Sequence, residues 1–173
     1  MNKIIKAAQF ADCQHAGQCR KYTGAPYITH CTRVAIRVMM LPDATEEMVC
    51  AAWMHDTVED CDISEADLEQ HFGADIARLV SELTNVSKGD LPNADRATRK
   101  RADFERLKTV SAAAQDIKCI DRIDNLNEMQ DAPSDFKSRY LAESELLVQH
   151  LTKARPELRG ELESLIGKLK QAG

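Results

Sequence analysis

Apolar side chains recur at helical spacing through almost the whole chain, and this restricts it to an all-α fold. Ile4, Ile5, Ala8 and Ala11 stand at i, i+1, i+4 and i+7 and predict a first helix running to about Gly17. A loop follows over 20–29, where Thr23-Gly24-Ala25-Pro26 carries turn chemistry. Val34, Ala35, Val38 and Met39 predict a second helix, stopped near Pro42. Thr45 is placed to cap a third, which carries Met48, Val49, Ala52 and Trp53 to about Val58. Ser64-Glu65-Ala66-Asp67 has the pattern of a capping box and opens a short helix that Gly73 ends. Ile76, Leu79, Val80 and Leu83 predict the next helix, to about Val86. Residues 87–93, with Gly89 and Pro92, read as a mobile loop. From Asp95 to about Met129 the periodicity outlasts an ordinary helix, so a break near Ser111 is expected. Ser134 caps a helix to about Thr152, and Pro156 starts the last one. No alternating strand pattern or hairpin dipeptide competes. A single-domain helical bundle over 1–173 is the expected architecture.

Charge narrows the partners. Asp plus Glu outnumber Lys plus Arg by 28 to 23, a net charge of -5. An acidic chain is unsuited to coating DNA or RNA, which requires clustered positive charge, but a few local Arg and Lys suffice for a nucleotide. No apolar run approaches the ~18 residues of a membrane-spanning helix. The segment from Met1 to Lys6 lacks the apolar stretch of a secretion signal, so a cytoplasmic protein is expected, with no membrane partner and no particular oligomeric state implied. The six cysteines, at 13, 19, 31, 50, 61 and 119, form no C-x-x-C pair and read as reduced thiols, most of them small core fillers.

One short stretch carries chemistry. His55 is followed directly by Asp56, and neighbours on a helix point about 100° apart, so both side chains can converge on one ion beside the helix. Glu59 and Asp60 follow one turn later on the same face. Three carboxylates and an imidazole crowded together are unfavourable unless a cation or a proton relieves them. A solvated acidic helix end fits the same residues. Further ligands must come from elsewhere: His30 lies at the start of the second helix, and Asp121 and Asp124 flank the apolar stripe Ile117, Ile120, Ile123.

In chain order, HAGQCRK (15–21), GAPYITH (24–30), HDTVED (55–60), FG (72–73), LT (83–84) and D-R-x-x-N (121–125) resemble the HD-domain hydrolases of the RelA/SpoT type. The resemblance covers about 7–130, with a helical tail at about 134–171. The chain is too short for the synthetase and regulatory domains of the long members, so it looks like a stand-alone small alarmone hydrolase. That resemblance implies that His30, His55, Asp56 and Asp121 hold one divalent ion, usually Mn²⁺. It implies that Glu59 and Asp60 place and deprotonate the attacking water, that Arg20 and Lys21 contact the nucleotide, and that Asn125 lies on the substrate side. Imidazole with carboxylate suits Mn²⁺, Fe²⁺ or Co²⁺ better than a closed structural Zn²⁺ site, though ligand chemistry alone does not separate them. Such an ion acidifies water and polarises phosphorus, and a nearby carboxylate takes the proton. Arg20 offers a planar fork for a base and Lys21 a point charge for phosphate.

The implied reaction is metal-dependent 3′-pyrophosphohydrolysis of (p)ppGpp to GDP or GTP and pyrophosphate. Two residues depart from the family pattern. Cys31 stands where many relatives have Pro, and Asp124 stands where Tyr or His usually precedes the Asn. Asp124 adds negative charge, which keeps an adenosine alarmone, (p)ppApp, or another phosphorylated nucleotide such as NADPH in play. A non-catalytic nucleotide-binding module ranks lower, since it has no need of a water-activating carboxylate pair. His15 reads as a helix-end packing residue, His71 and His150 as surface, and Trp53 as core. The basic run 96–108 reads as a solvated helix face, with Arg96, Arg99, Lys100 and Lys88 as secondary candidates for screening phosphate.

Overall fold

In the computed structural model, residues 2–85 and 87–172 are described, except the side chains of Lys88 and Ala172. The described residues form eleven helices and no strand beyond one isolated bridge between Cys19 and Pro26. Contacts divide the chain into two compact units, Met1–Thr84 and Asn85–Gly173.

The first unit is built on a small central helix. α1 (Lys3–Gln14), α2 (Ile28–Met39) and α6 (Ala74–Leu83) all pack on α3 (Glu46–Met54), and α5 (Glu65–Phe72) packs on α6. α3 buries Met48, Val49, Cys50, Ala51, Ala52 and Met54, so it is apolar nearly all round, as a helix enclosed by neighbours must be. Its small residues allow close approach from several sides. The partners bring Ala7 and Ala11 from α1, and Val34, Ala35 and Val38 from α2. Removing each of Val34, Val38 and Met54 from water contributes about 1.5–3 kcal/mol. Burial beside Glu46 and Glu47 pushes the Cys50 thiol up to about 11, which makes it an inert core filler.

Caps match the sequence reading closely. Thr45 accepts from the Met48 amide, and Ser64 with Asp67 forms a reciprocal capping box. Gly73 ends α5 at φ 92°, a conformation that disfavours any side chain. The third helix, however, does not run on to Val58. It stops at Met54, and a separate turn, α4 (Thr57–Asp60), follows. Two side chains account for the break by capturing carbonyls of the last turn: His55 Nδ1 bonds Ala52 O at 2.9 Å, and Thr57 Oγ1 donates to Met54 O at 2.8 Å. The His-Asp pair therefore sits at a helix junction rather than along one helix.

In the second unit, α7 (Ser87–Asp90) packs on α8 (Arg96–Leu107), α8 on α10 (Ser134–His150), and α10 and α9 (Ala112–Asn127) on α11 (Pro156–Ala172). The break at Ser111 is present, with its hydroxyl accepting from the Ala114 amide. Residues 87–90 form a helical turn where a loop was expected, because Ser87 donates from its amide (3.2 Å) and hydroxyl (2.8 Å) to the buried Asp103. Ser134 is the first residue of its helix rather than the cap. Val86, the expected end of the sixth helix, lies outside the described residues, as does the side chain of Lys88.

α9 buries the predicted Ile117, Ile120 and Ile123, but also Gln115, Asp116, Lys118, Asp121 and Arg122. Most of these buried polar groups are paired; Arg122 donates through Nη1 to Ser144 Oγ at 3.2 Å, while its Nε is buried without a partner. Gln115 accepts from the Lys153 and Ala154 amides at 2.7 and 3.1 Å and donates to Leu107 O at 2.6 Å. Asp116 accepts from the Arg155 amide and Nε at 2.7 and 2.8 Å. The turn between α10 and α11 is thus clamped to the start of α9 by side chains.

Some surface expectations shift. Three of the six thiols are buried (Cys31, Cys50, Cys119), Cys61 is half-buried, Cys13 and Cys19 are exposed, and all are free. Trp53 is only half-buried, with its Nε1 shielded and unbonded. His150 is partly covered and pairs with Glu105 at 3.1 Å, while His71 is exposed as expected.

Candidate metal centre and active site

The loop between α1 and α2 is ordered by its own backbone. Tyr27 N donates to Gln18 O at 2.9 Å and Arg20 N to Ala25 O at 2.8 Å, closing a narrow excursion whose tip is Gly24 at φ 70°. Gln18 ties the loop to α4 through Nε2, which donates to Asp60 O at 3.2 Å, and its Oε1 accepts from His15 Nδ1 at 2.8 Å. His15 is the C-cap of α1 and is buried, consistent with a packing role. Arg20 is half-buried, with its guanidinium 5.2 Å from the Tyr27 ring centre; Lys21 is exposed, with its ammonium 5.3 Å from the Tyr22 ring.

Behind this loop, His30 in the first turn of α2 meets His55 and Asp56 at the α3–α4 junction. The two Nε2 atoms are 3.2 Å apart, and Asp56 Oδ2 lies 3.0 Å from His55 Nε2 and 3.7 Å from His30 Nε2. Both imidazoles are buried and the carboxylate is nearly so. The Ala52 carbonyl can only accept, so His55 Nδ1 carries the proton and Nε2 presents a lone pair to the cluster. Two nitrogens bound to one ion at ~2.1 Å would themselves be separated by about 3 Å, close to the spacing found. The donor set therefore fits a divalent ion, which His30, His55 and Asp56 are positioned to hold.

Glu59 and Asp60 are on α4, one turn beyond the pair; Glu59 is half-buried and Asp60 exposed. The remaining two candidates belong to the second unit. Asp121 is buried on α9, with Lys118 Nζ 3.0 Å from Oδ2 and Asn125 Nδ2 2.5 Å from Oδ1. Asn125 thus orients Asp121 in addition to the substrate-side role the resemblance implies, as the four-residue spacing on one face allows. Asp124 beside it is half-buried.

Two residues of this chemistry went unassigned in the sequence. Lys118 lies three residues before Asp121 inside an apolar stripe, and a charge there is a detectable signal of pairing. Tyr27 donates its hydroxyl to Asp56 Oδ2 at 2.6 Å. A cavity of about 610 Å³ between α8 and α10, floored by Phe104 and Leu146, contains none of the nine candidates. Arg96 on its rim is already paired with Glu143 at 2.7 Å, so it is not an idle phosphate ligand.

An all-helical chain that joins adjacent His and Asp to a second imidazole is built as HD-domain proteins are, with a site for a divalent metal ion. A family model described as HD domain matches residues 7–154, and the chain belongs to that family. It is similar to the guanosine-3′,5′-bis(diphosphate) 3′-pyrophosphohydrolase MESH1 of Drosophila melanogaster, 35% identical over 130 residues, 74% of this chain and 70% of that protein. The Homo sapiens MESH1 is 37% identical over 129 residues, 73% of this chain and 69% of that protein. Among solved structures, one described as a metazoan ortholog of SpoT that hydrolyzes ppGpp superposes with a TM-score of 0.84 at 28% identity, covering 100% of this chain and 97% of that one.

Proposed function

We propose that this chain is a Mn²⁺-dependent 3′-pyrophosphohydrolase that degrades (p)ppGpp to GDP or GTP and pyrophosphate. The observation that carries this reading is the buried cluster of His30, His55 and Asp56, followed on α4 by Glu59 and Asp60. Relatives named for this reaction add weight, since the chain covers about 70% of MESH1 of Drosophila melanogaster. In this reading Asp121 supplies the fourth ligand. When bound, such an ion would supply water acidification and charge neutralisation at phosphorus.

The chain's own residues do the rest. Glu59 and Asp60 orient the water and accept its proton as its oxygen bonds to the phosphorus attached to the ribose 3′ oxygen. The bond from that phosphorus to O3′ breaks, O3′ takes up a proton, and the water oxygen leaves in pyrophosphate. Arg20 packs against the base, Lys21 meets phosphate charge, and Asn125 holds the substrate side while orienting Asp121. The half-buried Asp124 beside Asn125 supports a second reading on the same chemistry, with an adenosine alarmone or NADPH as substrate.

The test is product analysis by anion exchange after Mn²⁺-loaded protein is incubated with ppGpp, ppApp or NADPH. GDP from ppGpp, lost with chelator and in Asp56→Ala, is expected; Glu59→Gln should retain metal and lose turnover by roughly 100-fold or more. Turnover of ppApp or NADPH alone would move the substrate and keep the chemistry. Metal bound with no product from any of the three would leave a nucleotide-binding module instead.

A further inference from the structure

Tyr27 stands between the two halves of the proposed machinery. Its hydroxyl is 2.6 Å from Asp56 Oδ2, the oxygen that faces both imidazoles, and 3.4 Å from Asp60 Oδ2. A phenol has one proton to give, and the distances assign it to Asp56. A carboxylate oxygen has two lone pairs, so the bond selects which one turns toward His30 and His55. The ring is gripped on several sides: it stacks on His15 at 4.7 Å, meets His30 edge-on at 5.7 Å, and lies under the Arg20 guanidinium at 5.2 Å. His15 is buried and hydrogen-bonded to Gln18, which is itself anchored to the end of α4, so the ring has a fixed seat.

We infer that Tyr27 is a positioning residue that couples the nucleotide-binding loop to the metal centre, its hydroxyl setting the Asp56 carboxylate and its ring setting Arg20. The inference rests on the metal-dependent reading above. It assigns separable tasks to the two parts of one side chain. Loss of the hydroxyl alone frees the Asp56 carboxylate to rotate and removes a partner of the kind that tunes a ligand's metal affinity. Loss of the ring removes the face against which Arg20 is held, and with it the orientation of the guanidinium toward a base.

Tyr27→Phe and Tyr27→Leu separate these tasks. Mn²⁺ dissociation constants are read from the electron paramagnetic resonance of free Mn²⁺, and KM and kcat for ppGpp are measured at saturating Mn²⁺, with circular dichroism melts as a fold check. For Tyr27→Phe the Mn²⁺ dissociation constant should rise roughly 10–100-fold, with KM unchanged once the ion is saturating. Tyr27→Leu should show the same loss of metal affinity and, in addition, a KM several-fold higher. A purely structural residue would lower the melting temperature and leave both constants in place. A Tyr27→Phe protein that binds Mn²⁺ within twofold of wild type overturns the inference and leaves the hydrolase reading standing. Wild-type protein that binds no Mn²⁺ overturns both.

Discussion

Gln115 is buried completely, and its side chain serves three backbone groups from two other segments: the Leu107 carbonyl and the Lys153 and Ala154 amides. Gln115→Met keeps the length and approximate volume of the side chain and deletes all three bonds. Each is worth about 1 kcal/mol net where water can replace the lost partner, and about 1–3 kcal/mol where a buried donor or acceptor is left unsatisfied. Leu107 and Ala154 are buried, whereas Lys153 N is only part-buried and regains water more readily. With two buried groups at about 1–3 kcal/mol each and the Lys153 amide at about 1 kcal/mol, the loss is about 3–7 kcal/mol, a large share of the ~5–15 kcal/mol that holds a typical domain folded. In urea, with a slope of about 2 kcal/mol/M, the midpoint should fall by about 1.5–3.5 M with the slope unchanged. The melting temperature should fall by at least ~6 °C, at about 2–4 °C per kcal/mol for a chain of this size. A midpoint within ~0.3 M of wild type at unchanged slope would refute the reasoning, since it would mean that the clamp on the α10–α11 turn carries no net energy.

Metal linkage and acid sensitivity give two further predictions. Mn²⁺ at 100 times its dissociation constant should stabilise the protein by about 2.7 kcal/mol, raising the melting temperature by about 5–10 °C. Chelator should reverse that shift, and His55→Ala should abolish it; an equal shift in His55→Ala would place the ion elsewhere. Asp95 caps α8, and the Thr98 amide it accepts from holds its carboxyl below the usual range. A depressed folded pKa means its stabilisation is fully present above the unfolded value near ~3.9 and is lost as pH falls through the folded pKa. The difference in melting temperature between wild type and Asp95→Ala should therefore narrow as pH drops below ~4. A difference that is constant or grows on acidification contradicts the cap assignment.

Helix content, the break at Ser111, the capping box at Ser64 and the start at Pro156 were legible in the sequence because each depends on residues within one or two turns. The His55-Asp56 pair was legible as well, as a dipeptide of ligand types with two carboxylates a turn away. Its setting at a helix junction is not legible, since local periodicity does not register that the His55 and Thr57 side chains take carbonyls from the preceding turn. The helical turn at Ser87–Asp90 escapes sequence reading for a similar reason: the partner that organises it, Asp103, is sixteen residues away.

What composition and spacing alone establish here is an all-α, acidic chain with a metal-suited His-Asp pair and candidate ligands scattered from His30 to Asp121. Those properties follow from side-chain chemistry and the 3.6-residue period, which are read one segment at a time. Tertiary packing alone brings His30 Nε2 to 3.2 Å from His55 Nε2 and sets the Tyr27 hydroxyl on Asp56. These contacts join residues 25 and 29 positions apart, and no local pattern encodes such a distance. They exist because α2 and α3 bury their apolar faces against each other, and that burial holds the polar groups at the helix ends where an ion can use them.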